Sequence, residues 1–182
     1  GVGISTDGGA TFTTRTTADG LGDNLVLGVY ADGATVYAAT IGGVGVSTDG
    51  GATFTNRTTA NGLGSNDVRG VYADGATVYA ATNGGGVGIS VDGGATFTNR
   101  TNANSGLGSD FVLGVYAVGA TVYAATNGGG VGISTDGGAT FTNRTTANGL
   151  GSNNVLGVYA DGGTVYAATF GGLGISTDGG AT

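Results

Sequence analysis

The side chains able to do chemistry in this 182-residue sequence are few in kind. All twelve acidic residues are Asp and all five basic residues are Arg; Glu, Lys, His, Cys, Met, Trp and Pro are absent. Carboxylate chemistry is therefore the main chemistry to test. A retaining glycosidase needs two carboxyls close together in one cleft. A calcium site needs several oxygen ligands around one point. The Asp residues are instead set out at an interval. Asp7, Asp49, Asp92, Asp136 and Asp178 each stand in a run Ser-x-Asp-Gly-Gly-Ala-Thr, behind Ser5, Ser47, Ser90, Ser134 and Ser176. Each run offers one carboxylate, which favours a turn-forming role over a calcium site. No metal and no cofactor is expected.

The elements that must position these residues follow from the same interval. Successive Asp residues are 42, 43, 44 and 42 residues apart, and the longest step contains the extra residue Ser105. Length drift confined to a loop is what a folded repeat requires. Each unit reads as four short strands. Strand A is Val26–Ala31 and its copies Val68–Ala73, Val112–Ala117 and Val155–Ala160. An Asp32-Gly33 hairpin turn follows. Strand B is Thr35–Thr40 and its copies, strand C is represented by Val44–Ser47, and strand D by Thr53–Arg57. Strands A and B are apolar on both faces, which calls for sheets covered on both sides. Helix is expected to be almost absent, because most strong helix formers are missing. Four strands in about 40–45 residues is the size of a propeller blade. The expected fold is an all-β propeller of four-stranded antiparallel blades.

The segment Ser47-Thr48-Asp49-Gly50-Gly51-Ala52-Thr53-Phe54 resembles the Asp-box (BNR) repeat of sialidases and related propellers. Phe12, Phe54, Phe97 and Phe141 close four such segments; the fifth stops at Thr182. Separately, the run Asn61 to Val68 leading into Val71-Tyr72 resembles the start of a blade in two-component-regulator propeller repeats. The resemblance implies that each Asp box is a structural turn between the two outer strands, with the Phe anchoring the blade edge. It also raises sialidase chemistry, which in that family uses an arginine cluster, a Tyr nucleophile assisted by an acidic residue, and an acid/base Asp. Here Arg15, Arg57, Arg100 and Arg144 occupy one repeat position and so stand a blade apart; only Arg69 breaks the pattern, where other copies have Leu27, Leu113 and Leu156. Near-identical repeats supply little of the asymmetry catalysis needs, so the chain is expected not to be an enzyme.

Eight Tyr residues fall in pairs mid-strand, from Tyr30 and Tyr37 to Tyr159 and Tyr166, where packing between blades is favoured over a role as sugar platforms. The sequons at Asn56, Asn99 and Asn143 follow from one repeated tetrapeptide. A formal net charge of −7 without a Lys excludes nucleic acid as a natural partner. No apolar run reaches the length of a membrane helix, so no membrane insertion is expected. The sequence starts on Gly1 rather than Met, as a processed chain, a trimmed one or a segment would.

Counting strands gives four A, four B, five C and four D. Residues 1–24 carry C and D of a split blade; 25–67, 68–111 and 112–154 are complete repeats; 155–182 carry A, B and C of the split or next blade. The ring is expected to close by strand exchange between the termini or between chains. Ile41, Phe170, Leu173 and Ile175 are the expected assembly seam, Ile41 and Phe170 being neighbours if four units close. The favoured function is a secreted or cell-surface structural or adhesive propeller that self-assembles into an oligomer or filament through a surplus terminal strand. The rivals are a propeller that binds surface glycans and an engineered or reconstructed repeat protein without a natural ligand.

Overall fold

A computed structural model describes residues 1–181; Thr182, the last residue of the fifth turn motif and of segment 155–182, lies outside them. The chain opens with a two-stranded hairpin, β1 (Val2–Ile4) and β2 (Thr13–Arg15). Three four-stranded antiparallel sheets follow in simple chain order. Blade I is β3 (Val26–Asp32), β4 (Thr35–Thr40), β5 (Gly43–Ser47) and β6 (Thr55–Arg57). Blade II is β7 (Val68–Asp74), β8 (Thr77–Thr82), β9 (Gly86–Ser90) and β10 (Thr98–Arg100). Blade III is β11 (Val112–Val118), β12 (Thr121–Thr126), β13 (Gly130–Ser134) and β14 (Thr142–Arg144). The last sheet, blade IV, has three strands: β15 (Val155–Asp161), β16 (Thr164–Thr169) and β17 (Gly172–Ser176). The fold is an all-β propeller array.

Glycine and β-branched residues set the local geometry. Asp32 pairs with Thr35, so the A–B loop is Gly33-Ala34 and not Asp32-Gly33. Gly33 has φ +59°, and a glycine at the first of two loop residues is what a type II′ hairpin requires. After strand D the chain makes a 3₁₀ turn, at Thr17–Asp19, Thr59–Asn61 and Thr146–Asn148. The third copy carries its extra Ser105 here, and the turn widens into a short α-helix, Asn102–Ser105, in which the Ser105 amide reaches back four residues to the Thr101 carbonyl. An inserted residue thus changes a turn type and leaves the strands undisturbed.

The four A strands β3, β7, β11 and β15 stand side by side at the centre. They approach so closely there that a Cβ on Gly28, Gly70 or Gly114 would lie 3.4–3.5 Å from the Cα of the next glycine in the row. Four apolar clusters fill the junctions: hairpin to blade I, I to II, II to III and III to IV. The row is open. Nothing lies within 4 Å of the Cβ position of Gly157 in β15. Strand exchange between the termini, one of the two expected closures, is not seen among the described residues, where β1–β2 and β15–β17 lie in separate sheets.

Candidate functional site

The repeated Ser-x-Asp turn is a closed hydrogen-bonded unit. Ser47 Oγ donates to Asp49 Oδ1 at 2.7 Å and accepts the Gly51 amide at 2.8 Å. Asp49 Oδ1 also accepts the Thr53 amide at 3.0 Å, and Oδ2 accepts the Thr53 hydroxyl at 2.6 Å. Gly50 and Gly51 turn the chain at φ +73° and +87°, values that favour glycine. The same bonds recur around Asp7, Asp92 and Asp136, and Asp178 bonds Ser176 Oγ and the Ala181 amide. Hydrogen bonds from the Thr and Ser side chains hold the carboxyls of Asp7, Asp49, Asp92 and Asp136 well below the usual carboxylate range. Both carboxylate oxygens of each of these four residues therefore serve the turn.

Three of the four repeated Arg residues join neighbours, whereas Arg100 Nε is buried without a hydrogen bond. Arg15 Nε donates to the Gly51 carbonyl and Arg57 Nε to that of Gly94, each at 3.2 Å, and Arg144 Nε donates to Gly180 at 2.6 Å. Each reaches from one D strand to the Ser-x-Asp turn of the next unit. Sequence reasoning placed these arginines a blade apart but missed this clasp; their fixed offset from the turn was the available signal. The sequon side chains are likewise engaged. Asn99 spans Gly62 and Gly64, and Asn143 spans Gly106 and Gly108, through bonds of 2.6–2.8 Å; Asn56 donates to Gly42. The inner tyrosines Tyr30, Tyr72, Tyr116 and Tyr159 pack across the blades as tilted pairs, with ring centroids 4.7–4.8 Å apart and planes inclined by 47–55°. Burial and the neighbouring phenols raise the Tyr72 pKa. The strand-B tyrosines Tyr37, Tyr79 and Tyr123 are buried between blades.

Asymmetry is concentrated at the rim formed by the starts of the A strands and the B–C links. In each blade the second residue of strand A is a bulge without a ladder partner: Leu27, Arg69, Leu113 and Leu156. Bulges re-aim side chains, so this is the place where one changed residue alters the surface. Arg69 Nη2 pairs with Asp67 Oδ2 at 2.6 Å, and Asn83 Nδ2 donates to the same oxygen at 2.8 Å. Asp67 Oδ1 and Arg69 Nε are enclosed yet make no hydrogen bond. Leu25, Leu27, Phe111 and Leu156 are exposed on the same rim.

The expected seam residues are not brought together. Ile41 follows β4 in blade I and Phe170 follows β16 in blade IV, with two blades between them, because the arc stays open. Both are exposed, as are Leu173 and Ile175 on β17. The two ends are complementary. Blade IV presents Tyr166, Leu173 and Ile175, whose counterparts Tyr37, Val44 and Val46 are buried against blade II. Blade I presents Val29, whose counterpart Val71 is buried against blade I itself.

No family model and no curated protein matches the chain. Solved structures do. An ancestral GH74 enzyme aligns with TM-score 0.65 at 21% identity, over 86% of this chain and 23% of its own. The extracellular domain of the hybrid two component system BT3049 from B. thetaiotaomicron aligns with TM-score 0.70 at 18% identity, over 93% of this chain and 23% of its own. YCF48 bound to D1 peptide aligns with TM-score 0.64 at 17% identity, over 95% of this chain and 57% of its own. The chain thus spans about a quarter of the length of the first two. At these identities the likeness shows the fold alone.

Proposed function

We propose that the chain is a non-enzymatic structural module that works outside the cell and joins further copies of its own repeat through its two open ends. One observation carries this reading: blade IV exposes Tyr166, Leu173 and Ile175, counterparts of residues buried at the internal junctions, and blade I exposes Val29 beside a rear face otherwise covered by the hairpin. The forward face of blade IV has the residue types that are buried at the I–II, II–III and III–IV junctions. A heterologous contact of this kind propagates into a larger ring or a filament, depending on whether the rotation closes.

The residue roles support the non-enzymatic part. The periodic Asp side chains are used in turns, and three of the four periodic Arg side chains clasp neighbouring units. The extracellular part draws on the BT3049 domain, described as extracellular, and on the acidic, Lys-free composition. Light scattering across a wide concentration range tests the reading. Mass should rise with concentration; a constant monomer mass would overturn it.

The rim cluster favours a second reading, a glycan site in blade II. The Asp67–Arg69 pair is partly exposed there, at 28% and 36% of its side chains, and offers a carboxylate and a guanidinium to sugar hydroxyls. Glycan-array binding that vanishes in Arg69→Leu, the residue type of the other blades, would support it; an array with no binders would remove it.

A further inference from the structure

The links between strands B and C come in two lengths. Blade I passes from Thr40 to Val44 through Ile41-Gly42-Gly43, whereas blade II passes from Thr82 to Val87 through Asn83-Gly84-Gly85-Gly86. Blade III has the longer form, Asn127-Gly128-Gly129-Gly130. The longer link leans on the entry of the next blade: the Gly84 and Gly86 amides both donate to the Asp110 carbonyl, at 3.0 and 2.9 Å. Gly84 and Gly86 take φ +88° and +75°, values that favour glycine. Asn83 and Phe111 then form a single antiparallel bridge across the junction of blades II and III. A Cβ on Gly84 would stand 3.7 Å from the Phe111 ring.

This bridge brings an aromatic ring to the polar cluster of the rim. Asn83 Nδ2 and Arg69 Nη2 share Asp67 Oδ2, and Phe111, 52% exposed, stands beside that Asn83. Arg69 lies between Leu27 and Leu113 in the row of bulges, since the Arg69 and Leu113 carbonyls stand 3.5 Å from the Cβ positions of Gly28 and Gly70. A charged pair and a carboxamide are thus set among apolar neighbours. The other junctions lack this combination. Between blades III and IV the longer link recurs, with the Gly128 and Gly130 amides on the Asn153 carbonyl, but Phe111, Leu113 and Asn154 stand in the places of Asp67, Arg69 and Phe111. Between blades I and II, Leu25, Leu27 and Ile41 replace Asp67, Arg69 and Asn83.

We infer that the junction of blades II and III binds a neutral pyranose, with the C–H face of the sugar on Phe111 and its hydroxyls on Asp67, Arg69 and Asn83. This rests on the glycan reading above and adds the platform and the charge of the ligand. A pyranose has an apolar face and a rim of hydroxyls, which suits an exposed aromatic ring beside a guanidinium donor, a carboxylate acceptor and a carboxamide that is both. Charge decides between sugars. Arg69 is already paired with Asp67, so the pair has no net charge, and the chain around it has a formal net charge of −7. The carboxylate of an acidic sugar would have to displace Asp67 from its 2.6 Å bond and enter that field. A neutral sugar adds hydrogen bonds and leaves the pair intact.

The test titrates the full chain calorimetrically with the methyl glycosides of glucose, galactose and mannose, and with glucuronate and galacturonate. At least one neutral glycoside should bind saturably, and the uronates should bind about tenfold more weakly or not at all. Arg69→Leu and Phe111→Asn install the residue types of Leu113 and Asn154, so folding should survive; circular dichroism verifies this. Each should weaken binding of the neutral sugar about tenfold, whereas Phe111→Tyr, which keeps the platform, should retain it. Binding that survives Phe111→Asn would overturn the inference, and its loss in Arg69→Leu would then leave the glycan reading standing. Uronates that bind as tightly as the neutral glycosides would likewise overturn the inference and not the reading. Binding by none of the glycosides would overturn the inference, and the glycan reading would stand or fall with the array.

Discussion

The inner blades and the two ends are built from nearly the same residues and behave differently. Tyr37, Tyr79 and Tyr123 are 2–4% exposed, while Tyr166, at the same position of blade IV, is 37% exposed. Phe12 differs from its three counterparts in the same way. Local sequence forms the strands and turns in every copy, but a blade buries its faces only where a neighbour stands on each side. Stability in such an array is a sum of unit and junction terms, and the end units lack a junction. The same side chain is therefore core in one copy and surface in another.

The aromatic anchors give the largest test of this contrast. Phe97→Ala should cost about 3–5 kcal/mol in urea unfolding of dilute protein. Phe12→Ala should cost about 0.5 kcal/mol or less under the same conditions, where the chain is a monomer. Equal costs would mean that the hairpin end is as well packed as the interior.

The central glycine row sharpens the comparison at the axis. Gly114→Val pushes side-chain atoms toward Gly157 and should destabilise by about 1–3 kcal/mol. Gly157→Val meets open space in the same direction and should cost less, within what strand-packed surface positions usually tolerate. Thermal melts of the two variants decide it.

The Ser-x-Asp turns predict a pH dependence shared by hairpin and blades. Four carboxyls have folded pKa values lowered by hydrogen bonds from Thr and Ser. A lowered folded pKa contributes stability that is present above the unfolded value, about 3.9, and is lost as pH falls toward the folded one. The melting temperature should hold from neutral pH to about 5 and fall progressively below 4. Asp92→Asn should lower it at neutral pH and flatten that acid slope. A slope unaltered by the substitution would mean the turn carboxylate is not the titrating group.

The smallest expected effect belongs to the clasps. Arg57→Ala removes one bond between blade I and the Gly94 carbonyl and should cost about 0.5–1.5 kcal/mol. Arg15→Ala should cost no more, because it joins the terminal hairpin to blade I and its ion pair with Asp19 is partly exposed and long, at 3.8 Å. Chemical denaturation of both variants measures the difference.

Much of the fold was legible because its signals are local. Strand B was placed at Thr35–Thr40, as found, by its β-branched ends and the glycines around it. Strand D was read two residues too long at its start, since Thr53 belongs to the Ser-x-Asp turn through its own hydroxyl. The A–B loop shifted by one residue, because Asp32 stays in the ladder and Gly33 takes the positive φ. The polar rim was legible only as a set of differences. Asn83 is 16 residues from Asp67, and nothing local shows that the strand-A bulge and the B–C link share one edge.

By itself the sequence determined the repeat, its strands and its turns, since hydrogen bonding, glycine φ values and apolar patterning act within a few residues. Only the tertiary structure decided which copies are buried, what each Arg clasps, and that Ile41 and Phe170 stay apart. Those outcomes depend on what stands beside a blade. A near-identical repeat carries no local mark of which faces will be covered, so the contrast between exposed Phe12 and its buried counterparts emerges only once the blades are set side by side.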